Sequence, residues 1–247
     1  MLFDAPCSGF GPTAMRKIAI VAALEREVGG LVRNWTRIQR AHQGGNFIFF
    51  EQDEMVVVCG GIGVEAARRA AEAVIALYHP TLLQSVGFAG ALHTGLCVGD
   101  IFSPAAVIDA RDASRAEVEG GKGVLITFPT VADTNQKMKL AEAYGAQAVD
   151  MEAAAVAAAA RAHGIPFSAT KVISDGLHFE MPKMAGFIDP QGQFRTVRFA
   201  VHVALRPWLW PRVAQLAANS NKAARMLAKH LKALQPHLSE VTEAKTS

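Results

Sequence analysis

Ile18 to Leu24 is an unbroken run of apolar residues with no polar alternation. A strand with one face in water alternates, whereas a strand covered on both faces need not. Glu25-Arg26-Glu27 follows at once, and acids directly after a buried strand lie at the sheet edge where open α/β sheets hold ligands. Glu25 and Glu27 equally suit the start of a helix. The same grammar recurs. Phe47 to Phe50 and Met55 to Cys59 read as strands joined by a turn around Gln52-Asp53-Glu54. Gly60-Gly-Ile-Gly63 leads into a helical stretch from Val64 to Tyr78 that stops before Pro80. Strands are expected at Leu82 to Gly87, Ile101 to Ile108 and Val124 to Phe128, and Thr134 is placed to cap a helix through Tyr144. Arg111 to Gly123 reads as a surface loop. Apolar strands alternating with helices predict an α/β fold around a mostly parallel or mixed sheet.

With 51% hydrophobic and 19% charged residues, the chain can bury a sizeable core. No Pro, Gly or Ser-rich linker divides it, so residues 15–236 read as one domain, preceded by a tail over 1–14 and followed by a frayed end over 237–247. The net charge of +3 calls for no nucleic acid. Cys7, Cys59 and Cys97 are scattered without a CxxC pair, which argues against a zinc site or disulfide framework and for a reducing cytoplasm. Neither a signal peptide nor a membrane-spanning segment is recognisable.

Gly61-x-Gly63-x-x-Ala66 after a strand matches a loose dinucleotide fingerprint, but the acid expected about twenty residues on is missing from Thr81-Leu-Leu-Gln84. The glycines are instead expected to turn the chain tightly, with backbone N–H groups facing an anion or a sugar. The small residues of Phe88-Ala-Gly-Ala91 would let a ligand approach the backbone. The most informative stretch runs from Ala148-Val-Asp-Met-Glu152 through an alanine-rich helix to Ile173-Ser-Asp-Gly176. Each acid has a plain structural reading: Glu152 at a helix start capped by Asp150, and Asp175 as a turn residue. Together, two acids at the ends of a helix–strand pair can converge at one sheet edge. The C-terminal third differs in character. Trp208 and Trp210 are flanked by Arg206 and Arg212, and a basic amphipathic helix follows from Asn219 to Leu234. Such a segment suits either a membrane surface or a core contact.

Ile18 to Val28, the glycine turn, Gly87-Phe-Ala-Gly90 with Gly99-Asp100, Val149-Asp-Met-Glu152 and Ile173-Ser-Asp175 occur in the order of the nucleoside phosphorylase and nucleosidase superfamily, which the chain resembles over about Lys17 to Gly176. The similarity is to the methylthioadenosine/S-adenosylhomocysteine nucleosidases. The short segment between Arg111 and Gly145 and the Arg/Trp-bearing end look more like the hopanoid-associated phosphorylases, which implies removal of adenine from adenosylhopane. The resemblance implies a three-layer α/β/α fold, no cofactor, no metal and a homodimer. It implies that Asp175 faces the purine and helps to protonate N7, that Glu152 holds the ribose hydroxyls with Met151 against the sugar, and that Glu27 prepares the attacking water. Val149 and Val131 would border the base, and Phe88, Ala89, Gly90, Ser174 and Gly61 would complete the substrate site.

The residue types suit that chemistry. Breaking a ribosyl–purine bond leaves an oxocarbenium-like sugar and a poor leaving group. The base leaves more readily when protonated, which asks for a buried acid such as Asp175, and the sugar cation asks for a fixed carboxylate such as Glu152. Phe88 stands where phosphorylases use a polar residue to bind phosphate and offers no donor, although Arg26, Arg68 or Arg69 could supply one. The sequence therefore leaves water and phosphate both open as the nucleophile, with phosphate as a second small-molecule partner. It also leaves open a soluble methylthio- or homocysteinyl-adenosine, a lipid-linked adenosine met at the inner membrane face, and a nucleoside-binding module without turnover.

Overall fold

The computed structural model describes residues 17–180, 185–187, 189 and 192–243; the expected N-terminal tail lies outside them. The elements in chain order are β1 (Ile18–Ala22), α1 (Glu25–Val32), β2 (Thr36–His42), β3 (Gly45–Gln52), β4 (Met55–Cys59), α2 (Val64–Tyr78), β5 (Leu82–Ala91), β6 (Ile101–Phe102), β7 (Ala106–Asp109) and β8 (Arg115–Glu117). They continue with β9 (Val124–Thr127), α3 (Thr134–Tyr144), β10 (Ala148–Asp150), α4 (Ala153–Ala162), β11 (Phe167–Asp175), α5 (Thr196–Ala204) and α6 (Trp210–Glu243). The strands form one mixed sheet in the order β2-β3-β4-β1-β5-β10-β9-β7-β8, with β11 paired to β5 and β6.

β1 shows why the sheet has helices on both sides. Successive side chains of a strand point to opposite faces. Ala19 and Val21 pack into a core with α2 and with Val156 and Ala160 of α4. Ile20 and Ala22 pack into a second core with Val28 and Leu31 of α1 and Ala223, Leu227 and Leu231 of α6. The unbroken apolar run is thus the signature of a strand between two helical layers, and the fold is the expected three-layer α/β/α arrangement. Gly30 lets α1 and α6 approach closely, since a Cβ there would lie 2.7 Å from Ala228 Cβ.

Several elements differ from expectation. β2 went unrecognised because its sequence, Thr-Arg-Ile-Gln-Arg-Ala-His, is that of a largely exposed strand at the end of the sheet. The run Ile101 to Ile108 is two strands. Pro104 falls between them, and there the chain leaves β11, the partner of β6, for β9, the partner of β7. The loop Arg111 to Gly123 contains β8, antiparallel to β7. Asp133, not Thr134, caps α3: its carboxylate accepts from the Gln136 N–H at 2.8 Å, and Gln136 reaches back to the Asp133 N–H. Finally, α6 starts at Trp210 and continues past Pro236 to Glu243. A proline costs a helix one hydrogen bond, but the flanking Ala, Leu and Lys residues favour helix.

Candidate active site

Three strands meet at Gly90. β11 runs parallel to β5 with Ile173 opposite Ala89 and Asp175 opposite Gly90, so Ser174 is an extra residue and the register slips there. β10 approaches the same point from the other direction, pairing Val149 with Gly90. A bulge of this kind re-aims the side chain beside it. Ser174 Oγ donates to the Asp175 carboxylate at 2.7 Å and lies 3.3 Å from the Ala89 carbonyl oxygen. The other Asp175 oxygen accepts from Lys137 Nζ, which also donates to the Gly176 carbonyl at 2.9 Å. A Cβ on Gly90 would lie 2.9 Å from Asp175 Oδ2 and 3.4 Å from Lys137 Nζ. Glycine is therefore what leaves room for the pair. The sequence suggested a buried acid at Asp175, and it is buried; α3 brings a buried lysine against it, which the sequence did not suggest.

The second acidic centre lies where β10 gives way to α4. Glu152 precedes the first turn of α4, and its carboxylate accepts from the Gly63 N–H at 2.8 Å and the Met151 N–H at 3.2 Å. Asp150 turns the other way. It accepts from Thr127 Oγ at 2.6 Å and from the Ala153 N–H at 2.9 Å, and it pairs with Lys171 Nζ at 2.8 Å. Lys171 is fully enclosed and also donates to Ser85 Oγ at 3.0 Å. Burial pushes the Glu152 carboxyl up to about 8; the negative charges of Asp150 and Glu27 add to the shift, while Lys171 and the Gly63 N–H oppose it.

Glu27 completes the set. It lies in the first turn of α1 and is 5% exposed, and one carboxylate oxygen accepts from the Ala23 and Leu24 N–H groups, each at 3.2 Å. Burial raises its pKa above the usual carboxylate range; the Leu24 N–H and the charge of Lys171 act in the opposite direction.

Glu27, Glu152 and Asp175 all line one cavity of about 240 Å³, as do Phe88, Ala89, Gly90, Val131, Val149, Met151 and Ser174. Gly61 does not. The N–H groups of its turn are taken by the protein itself: Gly60 donates to Ala22 O at 3.0 Å, Gly61 to Ala23 O at 2.9 Å and Ile62 to Gly192 O at 2.8 Å, while Gly63 serves Glu152. The expectation that this turn offers donors to a ligand is corrected accordingly. Of the three arginines considered for phosphate, Arg26 lines the cavity; Arg68 pairs instead with Glu65 on the surface. Sequence reasoning missed Lys137 and Lys171, and it missed the cavity wall formed by Phe194, Phe199, Val213, Leu216, Ala217 and Ser220. A lysine inside the apolar run of β11 was the available clue to Lys171, since a buried charge needs a partner. Nothing in the sequence marks Lys137, which sits on a helix rich in polar residues.

The family model described as the phosphorylase superfamily matches residues 17–132 and 122–198. The chain belongs to the phosphorylase superfamily. Within that superfamily, it is 27% identical over 212 residues to a 5′-methylthioadenosine/S-adenosylhomocysteine nucleosidase of Actinobacillus succinogenes, covering 66% of this chain and 90% of the relative. Among solved structures, the same nucleosidase of Helicobacter pylori superimposes with a TM-score of 0.69 at 18% identity, covering 91% of this chain and all of that one. The Helicobacter pylori futalosine hydrolase superimposes with a TM-score of 0.68 at 17% identity, covering 90% and 98%. These superfamily structures share the mixed-sheet architecture described above.

Proposed function

We propose that this protein hydrolyses the N-ribosyl bond of an adenosine-type nucleoside and releases adenine. The observation that carries this reading is the meeting of Glu27, Glu152 and Asp175, far apart in sequence, around one cavity with mostly apolar walls. Each acid has a different environment, as a reaction with separate acid, base and cation-stabilising tasks requires. Asp175 meets the leaving purine, between Val149 and Val131. Glu152 binds the ribose hydroxyls, with Met151 against the sugar. Burial makes its carboxyl resist ionisation, and positive charge developing at the sugar favours the ionised form. The interaction therefore strengthens toward the transition state, which is what accelerates a reaction. Glu27, raised by burial, suits removal of a proton from water.

Water is favoured over phosphate because the Gly60 to Gly63 donors are spent within the protein and Phe88 offers none. A phosphate would have to rely on Arg26 at the cavity wall. For the 5′ substituent we favour a lipid-linked adenosine such as adenosylhopane. The cavity extends to the apolar side chains Phe194, Phe199, Val213 and Leu216. Beside them, Val197, Val201 and Leu205 form an exposed stripe along one side of α5, next to the exposed Trp208 and Trp210. Arg195, Arg198 and Arg212 are exposed among them and suit an anionic bilayer. The basic helix α6 contributes less to such a surface, because its apolar face is spent on α1.

The deciding experiment measures adenine release from adenosylhopane and from methylthioadenosine, each with and without phosphate. The reading requires release without phosphate and a higher kcat/KM for the lipid-linked substrate. Asp175→Asn should lower kcat by roughly 10²- to 10⁴-fold while leaving nucleoside binding largely intact. Unchanged turnover by that variant would remove Asp175 from the mechanism, and no release from either nucleoside would leave only the binding-module reading.

A further inference from the structure

Proton accounting at the purine end of the cavity points beyond Asp175. Both of its carboxylate oxygens already accept hydrogen bonds, one from Ser174 Oγ and one from Lys137 Nζ. Both oxygens are thus engaged within the protein, which places Asp175 to orient a donor beside it. The ammonium of Lys137 has three protons. One goes to Asp175 and one to the Gly176 carbonyl; the third has no protein acceptor among the described residues. The lysine side chain is 2% exposed, yet it is part of the cavity wall. Its site is built for it: α3 is fixed by the Asp133–Gln136 capping box one turn before Lys137, and Gly90 supplies the space for its end.

We propose that Lys137 is a catalytic residue, the immediate source of the proton that reaches the departing purine, and that Asp175 holds it in place. The inference rests on the N-ribosyl cleavage reading. The C1′–N9 bond breaks with its electron pair going to the purine. N7 takes the third proton of Lys137, the base leaves neutral, and Nζ becomes an uncharged amine that solvent reprotonates. Water adds at C1′, and Glu27 accepts its proton. The charged groups around this step are Asp175 on β11, Glu27 and Arg26 on α1, Asp150 at the end of β10, Glu152 before α4, and Asp133 capping the lysine's own helix.

The test compares two leaving groups in wild type, Lys137→Met and Lys137→Arg. Adenosine needs its base protonated; 4-nitrophenyl riboside carries a leaving group that departs as an anion. For Lys137→Met the ratio of adenosine to nitrophenyl cleavage should fall by about 100-fold or more, the scale of a lost general acid. Arginine keeps the charge but cannot give up a proton, so Lys137→Arg should show the same fall in adenosine kcat. A proportional loss on both substrates would mean that the lysine only supports the fold. Full adenosine turnover by Lys137→Arg would mean that only its charge matters; either result overturns the proposal. If Lys137→Met does not fold, the ratio of adenosine to nitrophenyl cleavage measured for Lys137→Arg decides between the outcomes. Wild type that cleaves no nucleoside at all would instead overturn the proposed function.

Discussion

A carboxyl pushed up to about 8 by burial keeps its proton over a pH range in which the same group in an unfolded chain, near 4.5, has lost it. For Glu152 the folded state therefore binds more protons than the unfolded state between those values, and stability falls as pH rises through that window. Glu27 shifts in the same direction and adds to the slope. The ligand-free protein should melt at a higher temperature near pH 5 than near pH 8. Glu152→Gln, which has no proton to lose, should flatten that dependence by an amount on the order of a few kcal/mol. Melting curves across the range check this; an unchanged slope would mean that Glu152 is already ionised in the folded protein. Glu27→Gln should lower kcat by roughly 10²-fold or more with little change in KM, because in the proposed mechanism it acts on the nucleophile and not on the nucleoside.

Helices α1 and α6 depend on each other through one missing side chain. Gly30→Ala would drive its Cβ onto Ala228, a side chain with no rotamer to move away. Destabilisation of about 1–3 kcal/mol is expected from such overpacking, read as a lower denaturant midpoint at constant m-value. Because α1 carries Glu27 and α6 lines the cavity, activity should drop as well. The legibility of the fold divides at this scale. β1, β4, β9 and β11 could be read because strands covered on both faces collect apolar residues. β2 could not, because an exposed strand at the sheet edge is polar and owes its conformation to β3. The candidate site divides in the same way. Glu152 stands at a strand–helix junction and Asp175 at the end of a strand, the places where ligands gather, whereas Lys137 is brought to Asp175 only by the docking of α3.

At the scale of the molecule, the apolar stripe on α5 gives the lipid reading a direct check. Wild type should co-sediment with vesicles containing anionic lipid, and the double variant Trp208→Ser, Trp210→Ser should not. Release of adenine from a water-soluble nucleoside should stay within about 2-fold, since neither tryptophan lines the cavity and exposed substitutions of this kind rarely disturb a fold. Among the described residues no helix is long and apolar enough to cross a membrane. The sequence hinted at this region through its Trp and Arg residues and left the basic helix open between a membrane surface and a core contact; its packing against α1 gives it the second role. Part of the cavity wall comes from α6, which the ribosome makes after every segment that carries one of the acids. A chain that stops short of α6 would thus carry every acid with an incomplete chamber to work in, and turnover has to wait for that helix to dock.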